Sequence, residues 1–466
     1  MNDIKLKLAE FNKIARNYLL VDLDQAKENA QAIKSYIGPE TKLLAVVKAN
    51  AYGHGVLECA RAFIAGGADY LGVAAADAAL YLRKSGITVP ILMFSDAEQL
   101  NYPTLVANDI EPAVYSAVVG RKLSLAAQAQ HKQARYHLVA DTGMSRIGFP
   151  SRLMLSALNE ADLANLNVSA DLQAALDLCR TQLKKLRSAG YLIENLSREL
   201  LEEAKQDWQT VRQLLADPNL SCQGIFSHFA KADCLGEAAS KRTEEQYLLL
   251  SAFAAYLIAL GYKLPLRHIA NSAATVRYPE YYLDMVRPGS VLYGLPPANS
   301  PAKLPMHVKP IARWFAKIDR IFVLRANQAV SYGGLWQSET DTLVGVLAVG
   351  YADGYRRNLS NKAYVLLPTG EKAEVLGRVC MDYCMVKLPW SYAKNLRQDI
   401  SQLEPVEIMG DGSNLALTAD NLAELADSFN LEVCCSVAAR VLRVYLQDGK
   451  VKSKRSYLFD TNSGAF

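Results

Sequence analysis

No stretch of this chain approaches the ~18–20 consecutive apolar residues that a helix needs to cross a bilayer, although 51% of its residues are hydrophobic. Charge of one sign is also scarce. The net charge is only +4 and no long basic run occurs, so neither nucleic acid nor an acidic membrane surface is expected as a partner. The N-terminus, "MNDIKLKLAEFNKIARNY", is charged throughout and lacks the apolar core and small-residue cleavage site of a secretory signal, which predicts a cytoplasmic protein. Eight cysteines are dispersed along the chain without a C-x-x-C pair, and only six histidines are present. That is the pattern of a reducing compartment, and it gives a metal site little support. No internal repeat and no low-complexity tract is evident. The absence of a G-x-G-x-x-G turn opening a βα unit argues against a dinucleotide-binding dehydrogenase.

What is present is ample core material and a regular alternation. The 466 residues suffice for about two or three domains. Over the first 300 residues, short apolar runs alternate with stretches of helical periodicity. The runs Leu43–Val47, Tyr70–Val73, Ile91–Met93, Arg135–Val139, Gly224–Phe226 and His268–Ala270 read as strands. Strand–helix alternation implies a parallel sheet, and this many units favours an α/β fold of the (β/α)8, TIM-type barrel class. Residues 151–205 are leucine-rich, amphipathic and longer than an economical barrel needs, so a helical insertion is expected there, packed outside the barrel or serving a partner. Four prolines in "LPPANSPAKLPMHVK", residues 295–309, mark a linker. Beyond it, alternation and tight turns predict a mostly β domain over 301–446, with a hairpin at Thr369–Gly370, and then a loose tail over 447–466.

"KLLAVVKANAYGHG", residues 42–55, places Lys48 at the end of an apolar run, where a barrel keeps its chemistry. Such a lysine can be a surface charge, an anion binder or a Schiff-base nucleophile. Partial desolvation pulls its pKa below the free value of ~10.4 and favours the nucleophilic amine.

"AVVKANAYGHG" closely resembles the cofactor-lysine motif of the alanine racemase family, whose cofactor is pyridoxal phosphate. "DTGMSRIGF", "GIFSHFAKAD", "ANSAAT", "MVRPGSVLYG", "SYGG", "VGYADGYRR" and "GRVCMDYCMV" follow in the family's order, so the resemblance spans roughly residues 20–445. It implies an amino-acid racemase interconverting L- and D-alanine, the latter serving bacterial wall peptide synthesis. It also implies two acid/base groups, because inversion needs one on each face of Cα: Lys48, which carries the cofactor, and Tyr332. Tyr332 lies in the β domain and by resemblance reaches the active site of a second copy, which requires a homodimer. A phenol is a poor base at its ordinary pKa of ~10, so it needs a polar neighbour.

The resemblance further places His228 beside the cofactor and Arg287 against its ring nitrogen. A guanidinium only donates, so it leaves that nitrogen unprotonated and favours reprotonation over side reactions. Tyr52, Ser272, Gly289 and Ser290 match the phosphate cradle, Tyr351 a residue lining the entrance, and Arg146 and Met381 contacts to the substrate carboxylate. No metal is implied.

Two positions depart from the family pattern. Val139 stands where a lysine often buttresses the arginine, so Arg146 needs another anion or is less ordered. Ala439 replaces a tyrosine near the phosphate, which predicts a pocket accepting side chains larger than methyl, such as serine or a basic residue. Two other readings stand beside the racemase. A pyridoxal-phosphate decarboxylase of basic amino acids shares the architecture, but retention of the "SYGG" tyrosine and of Arg287 argues against it. A non-catalytic scaffold that binds the cofactor is disfavoured by the presence of both candidate bases.

Overall fold

The computed structural model describes residues 11, 13–96, 101–166, 168–298 and 304–456. Strand β1 (Asn17–Asp22) runs into the helix Leu23–Ile37. Asp22 caps that helix by accepting the Gln25 N–H at 3.0 Å. Leu23, Ala26, Ala30, Ile33 and Ile37 recur at helical spacing and are all buried.

Eight parallel strands then form the barrel: β2 (Lys42–Val46), β3 (Tyr70–Val73), β4 (Ile91–Met93), β5 (Ile110–Val114), β6 (Ala134–Asp141), β8 (Leu220–Phe226), β9 (Arg267–His268) and β10 (Met285–Val286), with the short β7 (Phe149–Pro150) beside β6. β10 pairs back onto β2. Backbone bonds from Asp284 N–H to Arg267 O (3.0 Å) and from Arg287 N–H to Ala270 O (2.9 Å) join β9 to β10 and close the ring. Six of these strands coincide with expected runs. β5 was not anticipated, because "IEPAV" carries a glutamate and a proline, nor was β10, which is only two residues long.

The second region contributes β11 (Ala312–Ala316), β12 (Ile318–Leu324), the side ribbon β13 (Ala329–Val330) and β14 (Trp336–Gln337), β15 (Thr342–Leu347), β16 (Tyr364–Leu366), β17 (Lys372–Leu376), β18 (Cys384–Lys387), β19 (Val406–Met409), β20 (Leu442–Gln447) and β21 (Lys450–Arg455). β16 and β17 form a hairpin around Thr369–Gly370. Apart from the side ribbon these strands join one sheet, in the order β12-β15-β18-β17-β16-β19-β11-β1-β20-β21.

That order corrects two expectations. β1 is not part of the barrel that follows it: β11 and β20 take up its two edges, so residues 17–22 belong to the second sheet. Nor is the end of the chain a loose tail throughout, since Lys450–Arg455 pairs with β20 as the outer strand. Its sequence, "KVKSKR", hides this because a charged, solvent-facing edge strand carries no apolar pattern. Residues 457–466 and 299–303 of the linker lie outside the described residues.

Over 151–205 the chain forms the helices Ser151–Ser156, Glu160–Ala164 and Gln173–Ser188 and the start of Arg198–Ala216. Gln173–Ser188 packs outside the barrel against Glu237–Ala259. Arg198–Ala216 returns the chain to β8 and anchors Trp208, which stacks on Phe253 at 4.8 Å and donates to Met154 O at 2.8 Å.

The two regions are tied together by buried polar groups. Arg443 is 1% exposed and donates to Gly53 O, Val437 O, Ala438 O and Val441 O, joining the second sheet to the turn after β2. No described helix is long and apolar enough to cross a membrane.

Candidate active site

A cleft of ≈ 1210 Å³ opens at the C-terminal ends of the barrel strands. Lys48 stands in it, directly after the buried run Leu43–Val47. Burial and the neighbouring Arg146 lower its pKa, with Cys435 acting weakly in the other direction. The turn after it is unusual: Ala49, Asn50, Ala51 and Tyr52 all have positive φ, between 50° and 55°. Each L-residue in that region costs roughly 1–2 kcal/mol. The turn is held by Ala51 N–H to Val47 O (2.9 Å) and Gly53 N–H to Ala49 O (3.0 Å). Asn50 Oδ1 caps the next helix through Val56 N–H at 2.9 Å. Gly53 is required here, because a Cβ would lie 2.3 Å from Cys434 O. The glycine-rich sequence after Lys48 thus serves a left-handed turn that returns Tyr52 into the cleft.

Tyr52 stacks edge-on against Tyr293 at 5.1 Å and faces Gly289, where a Cβ would stand 2.5 Å from its hydroxyl. The Gly289 N–H donates to Ser272 Oγ at 2.7 Å. Ser272 begins a helix capped by Asn271, and Ser290 begins the short turn Ser290–Tyr293. Hydroxyls and N–H groups therefore converge on one corner of the cleft.

Arg287, 4% exposed, donates to Ser227 O (2.7 Å), Ile269 O (3.2 Å) and His268 Nδ1 (2.8 Å). Burial and Arg146 lower its pKa to about 9, which leaves it charged at neutral pH. Its second amine lies 3.4 Å from His228 Nδ1. Burial, then Arg287, Arg146 and Lys48, hold His228 at about 3, so that ring is neutral. A guanidinium can only donate, so Nδ1 accepts and Nε2 carries the proton.

Arg146 is exposed and makes no hydrogen bond or ion pair among the described residues. Val139 is buried in β6 and offers it none. Lys48, Arg146 and Arg287 thus gather positive charge around the lysine, while Asp96, Asp233, Asp420, Glu424 and Asp427 also line the cleft. Among the described residues no group of three or more His, Cys, Asp or Glu could hold a metal ion.

Eight of the expected site residues line this cleft: Lys48, Tyr52, Arg146, His228, Ser272, Arg287, Gly289 and Ser290. Tyr332, Tyr351 and Met381 do not. They lie on the second region and are 68%, 42% and 53% exposed. Backbone bonds set them on neighbouring turns: Tyr351 N–H to Cys380 O and Ala352 N–H to Met381 O, both 3.0 Å. Ser331 Oγ donates to Arg378 O at 2.6 Å and fixes the turn that carries Tyr332. Arg440 ties two of these turns together, donating to Asp353 (2.8 Å) after Tyr351 and to Asp382 (2.7 Å) after Met381. Ala439 is exposed and does not line the cleft of the single chain. Sequence reading missed Arg440 and also Glu111, His137 and His268, which stand behind Arg287. The signals for these were the polar residues inside strand runs: the glutamate of "IEPAV" and the histidines in Arg135–Val139 and His268–Ala270.

A closed parallel barrel with a desolvated lysine at a strand end, in a cleft where two arginines stand near it, defines an enzyme of the (β/α)8-barrel class. The comparisons with known proteins are specific. The family description "Alanine racemase, N-terminal domain" matches residues 21–171 and 201–297, and "Alanine racemase, C-terminal domain" matches 311–445. The chain belongs to the alanine racemase family. The skipped stretch, 172–200, contains the helix Gln173–Ser188. Curated alanine racemases of Clostridium novyi and Desulfovibrio desulfuricans are 32% and 33% identical, covering 94% and 92% of this chain and 97% of their own lengths. The solved alanine racemase of Clostridium difficile superposes with a TM-score of 0.75 at 27% identity, over 95% of this chain and 99% of its own. That of Bacillus anthracis, solved with bound L-Ala-P, gives 0.73 at 26% identity, over 95% and 98%.

Proposed function

We propose that this chain is a pyridoxal-phosphate-dependent alanine racemase that works as a homodimer in the cytoplasm, with Lys48 and the partner copy's equivalent of Tyr332 as its two bases. One observation carries the reading. Eight residues from five separate sequence motifs meet in one cleft around Lys48, while the second candidate base stands exposed on the other region.

The residues present fit the cofactor. Lys48 offers an amine biased toward its neutral form, Arg287 a buried guanidinium for the ring nitrogen, and Tyr52, Ser272, Ser290 and Gly289 short donors for a phosphate. The close approach of Tyr52 to Gly289 leaves a cradle that a Cβ would fill. When bound, pyridoxal phosphate supplies an electron sink that makes the α-proton of an amino acid removable.

The chain's own residues do the rest. Arg146, unpaired in the cleft, takes the substrate carboxylate. Lys48 holds or gives a proton on one face of Cα. Tyr332 does so on the other, brought in by a partner across the exposed face that also bears Tyr351, Met381 and Tyr383. His228 is held neutral with its Nε2–H free to donate, so it can partner a phenolate without competing for the proton. Alanine is the substrate that the family match supports; Ala439 is exposed and does not line the single chain's cleft.

Borohydride reduction of the protein loaded with pyridoxal phosphate, followed by peptide mass spectrometry, should place the reduced adduct on Lys48. Adduct spread over surface lysines, or none, would sink the assignment. Gly289→Ala should weaken cofactor retention about tenfold or more, because overpacking of this kind costs ~1–3 kcal/mol. Absorbance after ultrafiltration reads this directly, and unchanged retention would remove Gly289 from the cradle.

A further inference from the structure

Barrels of this class are filled by layers of apolar side chains. Here three interior places are polar. Glu111 of β5, His137 of β6 and His268 of β9 have 0% exposure. They form one unbroken chain behind Arg287: Glu111 Oε2 to His137 Nε2, 3.0 Å; His137 Nδ1 to His268 Nε2, 2.9 Å; His268 Nδ1 to Arg287, 2.8 Å. At the far end Glu111 Oε1 meets the guanidinium of Arg135, 2.7 Å away and partly exposed at the start of β6.

The proton positions follow from which groups can donate. Arg287 donates, so His268 Nδ1 accepts. Burial, then Arg287 and His137, keep His268 neutral, so its proton sits on Nε2 and is donated to His137 Nδ1. His137 then carries its proton on Nε2, aimed at the carboxylate. Every link has one sense, from guanidinium to carboxylate. No carboxylate among the described residues pairs directly with Arg287; its other acceptors are backbone oxygens and His228.

We propose that Glu111, His137 and His268 are positioning residues of the cofactor site, holding the Arg287 guanidinium in its orientation and presenting the charge of Glu111 as its remote counter-charge. This rests on the reading that Arg287 faces bound pyridoxal phosphate. Other groups also face the chain. Tyr70 of β3 lies against Glu111 and Arg135, and Cys222 of β8 and Arg83 lie within range of Glu111. Arg146, Lys48 and His228 surround the upper end. Phe226 stacks on His268 at 5.2 Å and lies beneath Arg287.

The test compares Glu111→Gln and Arg135→Gln in the full chain loaded with pyridoxal phosphate. The readouts are the pH midpoint of the bound cofactor's visible absorption, the pH profile of kcat/KM and the melting temperature. Removing the buried negative charge should move the midpoint to lower pH. Removing the partly exposed positive charge should move it to higher pH, each by about half a unit to one unit. Opposite shifts are the expected result, since general loosening of the core would not give the two variants opposite signs. Arg135 reaches solvent, so its variant keeps the test alive if Glu111→Gln does not fold. Unmoved midpoints with a lowered melting temperature would overturn the proposal and leave the chain a structural feature. A parent that takes up no cofactor at Lys48 would overturn the functional reading and this proposal with it.

Discussion

Tyr332→Phe should slow inversion of alanine by about 10²–10⁴-fold yet leave the protein able to exchange the α-proton of one enantiomer with deuterated solvent. The expectation follows from placing one base on each face of Cα. Removing the phenolic hydroxyl leaves the Lys48 amine intact in its own cleft, so one enantiomer still loses and regains a proton on the lysine face. The opposite face has no group to complete inversion. Loss of a general acid–base contributes about 10²–10⁴-fold, so racemisation should fall by that amount. Tyr332 is 68% exposed and makes no contribution to the core, so the melting temperature should not change. Proton NMR in deuterium oxide, run separately with L- and D-alanine, reads both effects. Racemisation near the parental rate, or equal exchange of both enantiomers, would remove Tyr332 from the mechanism.

Mixing Lys48→Ala with Tyr332→Phe should recover activity that neither variant has alone. Each site, on this account, takes its lysine from one copy and its tyrosine from the other. A mixed dimer then contains one site lacking both groups and one site that has both. Random exchange of subunits makes half the dimers mixed, with one competent site of two, so about one quarter of parental activity should return. The basis is geometric: Tyr332, Tyr351 and Met381 lie on one exposed face of the second region, and none lines the cleft that holds Lys48. Mixtures that stay inactive after subunit exchange would mean that each chain completes its own site.

Much of this was legible in the sequence, for physical reasons that differ by element. Strands such as Tyr70–Val73 and Ile91–Met93 are buried on both faces, so they read as continuous apolar runs with their bounds intact. Ile110–Val114 escaped notice because its glutamate points into a polar chain inside the barrel, an arrangement that only the assembled strands reveal. The sheet that β1 joins was not readable because pairing is non-local: its partners are some 290 and 420 residues downstream, at Ala312–Val21 and Tyr18–Leu442. In the site, Lys48 and its glycines announced themselves through the break from an apolar strand to a tight turn. The left-handed course of Ala49–Tyr52 was not readable, since three of those four residues, Ala49, Ala51 and Tyr52, are of types that rarely adopt it. Arg440 and Arg443 drew no assignment from the sequence. Their roles in clamping the Tyr351 and Met381 turns and in joining the two regions come from tertiary contact alone.

The central claim is most directly tested by incubating the purified protein and pyridoxal phosphate with L-alanine alone and following the products by chiral chromatography. The account predicts D-alanine rising to an equal mixture of enantiomers, with Lys48→Ala inactive under the same conditions. An unchanged L-alanine solution, with the cofactor demonstrably attached at Lys48, would contradict it.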